Sequence, residues 1–232
     1  MITIRKSADR GISRFSWLDS RHSFSFGEYD NPNHRQFGPL RVINEDIVAP
    51  GAGFPTHPHR EMEIVTWVLS GALAHKDSSG GQDVIRPGDI QRMSAGTGIT
   101  HSEFNASATD PVHLLQIWLL PAVPNLTPGY EQKAIPLTPN GLTLLAAHDG
   151  RHGAVTIRQT VDLWAATLAP GQTASFTPAS STRVQWLQVA QGGVSVNGID
   201  LSAGDGAAIT GESALTLHAT SDTQALIFDM VA

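Results

Sequence analysis

The chain has 232 residues, of which 36 are Gly or Pro and 36 are Asp, Glu, Lys or Arg, so it spends many residues on turns and few on solvated helical faces. It has no cysteine and ten histidines. Disulfides, iron–sulfur clusters, thiolate-held zinc and thiol catalysis are therefore excluded, and any metal must rest on histidine and carboxylate. A net charge of −6, a pI near 5.9 and the lack of a Lys/Arg cluster argue against a nucleic-acid partner. The longest apolar run, Leu114 to Val123, is interrupted by Gln116 and Pro121. It falls well short of the ~20 residues that cross a bilayer. Met1 to Lys6 leads into polar residues rather than an apolar leader. A soluble cytoplasmic protein with no membrane partner is expected.

In chain order, short runs rich in β-branched and aromatic residues fall at 40–48, 63–69, 113–120, 155–161, 184–189 and 225–230. Each is bounded by Gly, Pro, Asn or Asp, the pattern of a β-sandwich or barrel. Residues 121–139 carry five prolines and read as a connector. An internal repeat organises the rest. Val48-Ala49-Pro50-Gly51 returns 120 residues later as Leu168-Ala169-Pro170-Gly171. Arg86-Pro87-Gly88-Asp89 returns loosely as Ser202-Ala203-Gly204-Asp205, and Leu114 to Trp118 is echoed by Ala225 to Asp229. Two tandem β-modules are the simplest account, at 1–125 and 126–232.

Four residues of the first module stand out: His57, His59, His101 and Glu103. Side chains two apart on a strand share a face, so His57-Pro58-His59 aims two imidazoles one way and His101-Ser102-Glu103 an imidazole and a carboxylate. Pro58 requires an edge strand or a position where no ladder bond is needed. If the two segments are neighbours, the four groups converge. Three imidazoles with a carboxylate, or two with the carboxylate, suit divalent iron, manganese, nickel or copper, and zinc fits by ligand type. The second module acts as an internal control. The positions matching His57 and His59 are Thr177 and Ala179, and His101 and Glu103 align near Leu217 to Ala219, so the framework is kept without the ligands. His22, His34, His75, His113, His148, His152 and His218 lack partners at ligand spacing and read as surface or core residues.

These residues resemble the cupin superfamily. Its first motif, G(X)5HXH(X)3,4E(X)6G, fits Gly51, His57, His59 and Glu63, with Gly71 one residue late. Its second, G(X)5PXG(X)2H(X)3N, fits Gly88, Gly96, His101 and Asn105, with Ser94 in place of proline and two extra residues before the histidine. Those departures, together with Glu103 and the runs Phe24-Ser25-Phe26, Phe37 to Val42, Thr56 to Arg60 and Met93 to Gly98, look like the pirin branch. The resemblance implies an all-β protein of two tandem cupin (double-stranded β-helix, or jelly-roll) barrels, the first active and the second degenerate.

It also implies one divalent transition metal, iron(II) first, with zinc, manganese, nickel, cobalt and copper left open. The metal would be held by His57, His59, His101 and Glu103. The usual cupin glutamate would be Glu63, whose parity with His59 points it at the same cavity, as an outer residue or, in the alternative, as a ligand. Pirin-family members are associated with quercetin 2,3-dioxygenase activity, in which a deprotonated flavonol reacts with O2 and releases carbon monoxide and a depside. Glu103 would then act as base as well as ligand, and Phe54, Trp67, Phe104 and Trp118 are candidates to hold a flat aromatic substrate. The alternative that the resemblance carries is a non-catalytic iron-binding regulator acting through a protein partner.

Overall fold

Strand-forming residues dominate because almost every apolar run is short, alternating or β-branched, and turns separate them. The computed structural model describes residues 1–231, and the described helical residues are two three-residue 3-10 turns, Ser7–Asp9 and Arg151–Gly153. No helix among the described residues is long and apolar enough to cross a membrane. The chain divides into two units.

The first unit spans Gly11–Ile135 together with Val155–Gln159. Its seven-stranded antiparallel sheet runs in the order Gly129–Ala134, Asp89–Ser94, Glu63–Ser70, Val112–Leu119, Leu40–Val48, Leu18–His22, Gly11–Arg14. A four-stranded sheet runs Gly53–His59, Ile99–Asn105, Leu73–Asp77, Gln82–Ile85. The sheets meet through apolar side chains: Leu73 and Ile85 of the short sheet pack with Leu18, Val48, Val68, Val112 and Leu114 of the long one. Each such fully buried side chain contributes roughly 1.5–3 kcal/mol.

The second unit comprises Met1–Arg10, Pro136–Ala154 and the chain from Thr160 onward. One sheet orders Ile2–Arg5, Gly206–Thr210, Arg183–Gln191, Thr223–Val231, Val161–Leu168 and Gly141–Ala147, and the other Thr173–Phe176, Leu215–Ala219, Gly193–Val196 and Ile199–Ser202. The N-terminal strand belongs here because Ile2 to Arg5 pair with Ile209 to Gly206. Asp205 fastens it, accepting from Lys6 Nζ at 2.9 Å and Ser7 N at 2.7 Å. A single cut after residue 125 therefore leaves out an exchange of ends: residues 1–10 fold with the second unit, and 129–134 and 155–159 with the first.

Two further expectations change. The proline-rich connector contains a strand, Gly129–Ala134, paired with Asp89–Ser94. The run 155–161 is not one strand: ladder structure covers Val155–Thr156 and resumes at Val161. Between them, Arg158 N donates to Glu63 Oε2 at 3.0 Å and Arg158 O accepts from Ala122 N at 2.8 Å. Those local bonds replace a ladder.

Candidate metal centre

His57 and His59 lie on Gly53–His59, and His101 and Glu103 on the neighbouring Ile99–Asn105. The antiparallel register puts His101 opposite His57 and Ile99 opposite His59. A shift in that register between His101 and Glu103 leaves Glu103 opposite Phe54. The three imidazole rings meet with centroids 4.5, 4.8 and 4.8 Å apart. His57 Nδ1 lies 2.7 Å from Pro55 O. A carbonyl only accepts, so Nδ1 carries the proton and Nε2 keeps its lone pair. That Nε2 is 3.0 Å from His101 Nε2. Two nitrogens each about 2.1 Å from one ion, at right angles, lie about 3.0 Å apart, so the donor set fits a divalent transition metal.

The electrostatics agree. Burial, then the neighbouring His57 charge, lowers His59 to about 4, and burial and the adjacent imidazoles lower His101 to about 3. Both are therefore neutral at neutral pH, the form that binds metal. Glu103 is buried, and each of its oxygens accepts from Gln116 Nε2, at 3.1 and 2.9 Å. Thr66 Oγ1 donates to Gln116 Oε1 at 3.3 Å and steadies that amide. Burial raises the Glu103 carboxyl to about 7, with the Asp46 charge adding and the Gln116 bond opposing. Ligand atoms of His57, His59 and His101 form one tight group, whereas Glu103 groups with His101 and His75. The structure thus gathers the three imidazoles and sets the carboxylate beside one of them.

The cluster opens into a cavity of about 700 Å³. Trp17, Phe54 and Trp118 wall it, and Asn44, Asp46 and Gln116 add polar groups. Trp118 meets His59 edge-on at 4.9 Å, and Trp17 meets Phe54 edge-on at 5.2 Å. Of the four aromatic candidates, Phe54 and Trp118 line the cavity, and Trp67 is buried without lining it. Phe104 sits on the opposite strand face from Glu103 and is 40% exposed.

Glu63 does not reach the cluster. Its Oε2 accepts from Ser94 Oγ at 2.9 Å and from Arg158 N at 3.0 Å. Parity with His59 fails because the strand breaks between them at Glu61, whose φ is +50°, and the chain passes from the short sheet to the long one. Sequence spacing leaves Gln116 unmarked and reads His75 as a surface or core residue, whereas the structure sets both beside the cluster. His75 Nε2 bonds Asp77 Oδ2 at 2.8 Å, and its ring lies 5.3 Å from that of His101. The His75-x-Asp77 spacing on one strand was the available signal. Gln116 had none, because only sheet pairing brings it to Glu103.

Two jelly-roll barrels in one chain, one carrying a histidine cluster at the mouth of a cavity, define a two-domain cupin. The pirin family profile matches residues 5–119, and a profile of the quercetinase C-terminal cupin domain matches 144–230. Over 230 residues the chain is 44% identical to quercetin 2,3-dioxygenase of Escherichia coli K12, covering 99% of each. It is 37% identical to a pirin-like protein of Caulobacter vibrioides over 229 residues, 97% of this chain and 98% of that one. The crystal structure of the bacterial pirin YhhW from Escherichia coli in complex with nickel(II) superposes with a TM-score of 0.94 at 43% identity, covering 100% and 99% of the two chains. The chain belongs to the pirin family.

Proposed function

We propose that the protein is a cytoplasmic metal-dependent dioxygenase that cleaves a flavonol such as quercetin with O2. Its metal is iron(II), held by His57, His59, His101 and Glu103. The observation that carries this reading is the meeting of His57 and His101 Nε2 at 3.0 Å at the mouth of an aromatic-walled cavity. The name of the Escherichia coli relative and the nickel(II) complex of its pirin support it. The bound ion supplies Lewis-acid and redox chemistry toward a hydroxyl and dioxygen.

The protein's residues supply the rest. Glu103, buried beside His101 and lining the cavity, is placed to take the flavonol hydroxyl proton. Gln116 holds both carboxylate oxygens and so fixes the direction of that transfer. Trp17, Phe54 and Trp118 present the apolar faces that a planar polyphenol needs and keep bulk water from the reacting ring. Cleavage by this route releases carbon monoxide and leaves a depside, an ester joining two phenolic rings.

Oxygen uptake by the iron-loaded protein against a small flavonol panel tests the reading. Turnover with quercetin that disappears in His101→Ala is the expected result. A metal-replete protein that consumes no oxygen with any flavonol would rule it out.

A further inference from the structure

A second group of chemistry-bearing side chains lines the same cavity, away from the histidine cluster: Ser13, His22 and Asn44. They come from three adjacent strands of the long sheet, with His22 directly opposite Asn44 on one side and opposite Gly11, two residues before Ser13, on the other. His22 Nδ1 is 2.7 Å from Asn44 Oδ1, and His22 Nε2 is 2.8 Å from Ser13 Oγ. An amide oxygen only accepts, so Nδ1 carries the proton and Nε2 is the acceptor. The Ser13 hydroxyl therefore donates to His22 and leaves its oxygen lone pairs free. His22 is buried, with Phe26 at 5.3 Å and the near-parallel Tyr29 ring at 6.4 Å. Gly11 makes room for that ring, since a Cβ there would lie 2.3 Å from Tyr29 Cγ. Phe26 and Trp118 stand ring to ring between this group and His59.

We propose that Ser13, His22 and Asn44 form a nucleophile–base–orienter triad that hydrolyses an aryl ester. Both required hydrogen bonds are in place, in a concave site. The backbone N–H of Arg14, a residue that also lines the cavity, is the candidate donor for the developing oxyanion. Phe15 and Leu18 exchange both backbone bonds, at 2.8 and 3.4 Å, and paired positions alternate from there. Because Gly11–Arg14 is the outermost strand, that alternation turns the Arg14 N–H to the open edge of the sheet, next in chain to the nucleophile. Ser13 Oγ bonds the ester carbonyl carbon while its proton passes to His22 Nε2. The proton then goes to the departing phenolate oxygen as the ester C–O bond breaks. Water, deprotonated by His22, cleaves the acyl–Oγ bond, restoring Ser13 and releasing a carboxylic acid. The choice of ester rests on the dioxygenase reading, whose depside product is an aryl ester formed in this cavity.

The probes are 4-nitrophenyl benzoate and a fluorophosphonate, used on the protein as purified and after removal of metal by chelation. Hydrolysis above buffer in both forms is expected, falling at least about 100-fold in Ser13→Ala with an unchanged melting temperature. Mass spectrometry should find one phosphonyl adduct per chain, on Ser13, and that result needs no variant. An adduct elsewhere or none, hydrolysis that survives Ser13→Ala, or hydrolysis only when metal is present would overturn the triad. Oxygen uptake with quercetin is read separately on the loaded protein. If it fails while Ser13-dependent hydrolysis holds, the triad stands and only the source of its ester falls.

Discussion

The two barrels share a register and differ in what fills them. In the first, Gly53 pairs with Phe104 and Phe54 with Glu103; in the second, Thr173 pairs with His218 and Ala174 with Leu217. Asn105 N donates to Ala52 O in one, and Ala219 N to Gln172 O in the other. Leu217 therefore stands where Glu103 does, and Leu215 where His101 does, two residues earlier than the sequence repeat suggests. Along the central strand, Gln116 opposite Asn44 and Thr66 corresponds to Ile227 opposite Trp164 and Leu187. The polar column Glu103–Gln116–Thr66 is thus replaced by Leu217, Ile227 and Leu187, all fully buried in one apolar cluster. The second barrel shows that these three positions close with leucine and isoleucine. A carboxylate buried at this position in the first barrel is a folding cost that the second barrel avoids there.

The largest expected effect comes from forcing the two halves together. Leu217→Glu places an unpartnered carboxyl in the dry core and should destabilise the protein by roughly 3–5 kcal/mol in urea unfolding. A loss below about 1 kcal/mol would mean that the second barrel already tolerates polarity. The reverse exchange, His101→Leu, should weaken divalent-metal binding by more than about 100-fold, since an outer-shell change alone costs about 10–100-fold. Its metal-free melting temperature should stay level or rise. Next, Gln116→Leu removes the amide that donates to both Glu103 oxygens and should cost about 1–3 kcal/mol. Adding Glu103→Leu to the same chain should recover most of that loss. A double-mutant cycle with no coupling would show that the column is not one unit.

The smallest effect concerns a turn that both barrels keep. Arg86 N donates to Asp89 Oδ2 at 2.9 Å in one, and Ser202 N to Asp205 Oδ2 at 3.1 Å in the other. Asp205 alone also holds the N-terminal strand. Burial pushes the Asp205 carboxyl up, but Lys6 and the backbone donors of Ser7 and Ser202 outweigh it, and the net shift is downward. A lowered carboxyl contributes stability in full above its unfolded value of about 3.9. That contribution fades as pH falls through the folded value. Asp205→Asn should therefore lower stability above about pH 4 and flatten the acid limb below it. An unchanged acid limb in pH-dependent melting would remove Asp205 from the account of the N-terminal clasp.

Much of this was legible in the sequence wherever function and local period coincide. Leu40–Val48 is a strand at its expected bounds, and the His57/His59 and His101/Glu103 pairs share strand faces because side chains two apart on a strand do. Period counting fails where the chain turns, as at Glu61, which takes Glu63 away from the cluster. Proline content hid the strand Gly129–Ala134, which lies at the edge of its sheet, where Pro128 at its threshold costs no ladder bond. Gln116, Asn44 and His22 reach the cavity through pairing between strands far apart in the chain, so no spacing announces them. Ser13 shows the same limit, since a hydroxyl gains meaning only from the imidazole that the sheet sets beside it.

Metal stoichiometry tests the asymmetry of the two barrels most directly. The protein is loaded anaerobically with iron(II), and in parallel with nickel(II), freed of excess ion, and assayed for metal per chain by elemental analysis. One tightly held ion per chain, lost when His57 and His59 are both changed to Ala, is the expected result. No retained ion, two ions per chain, or one that survives the double substitution would contradict it.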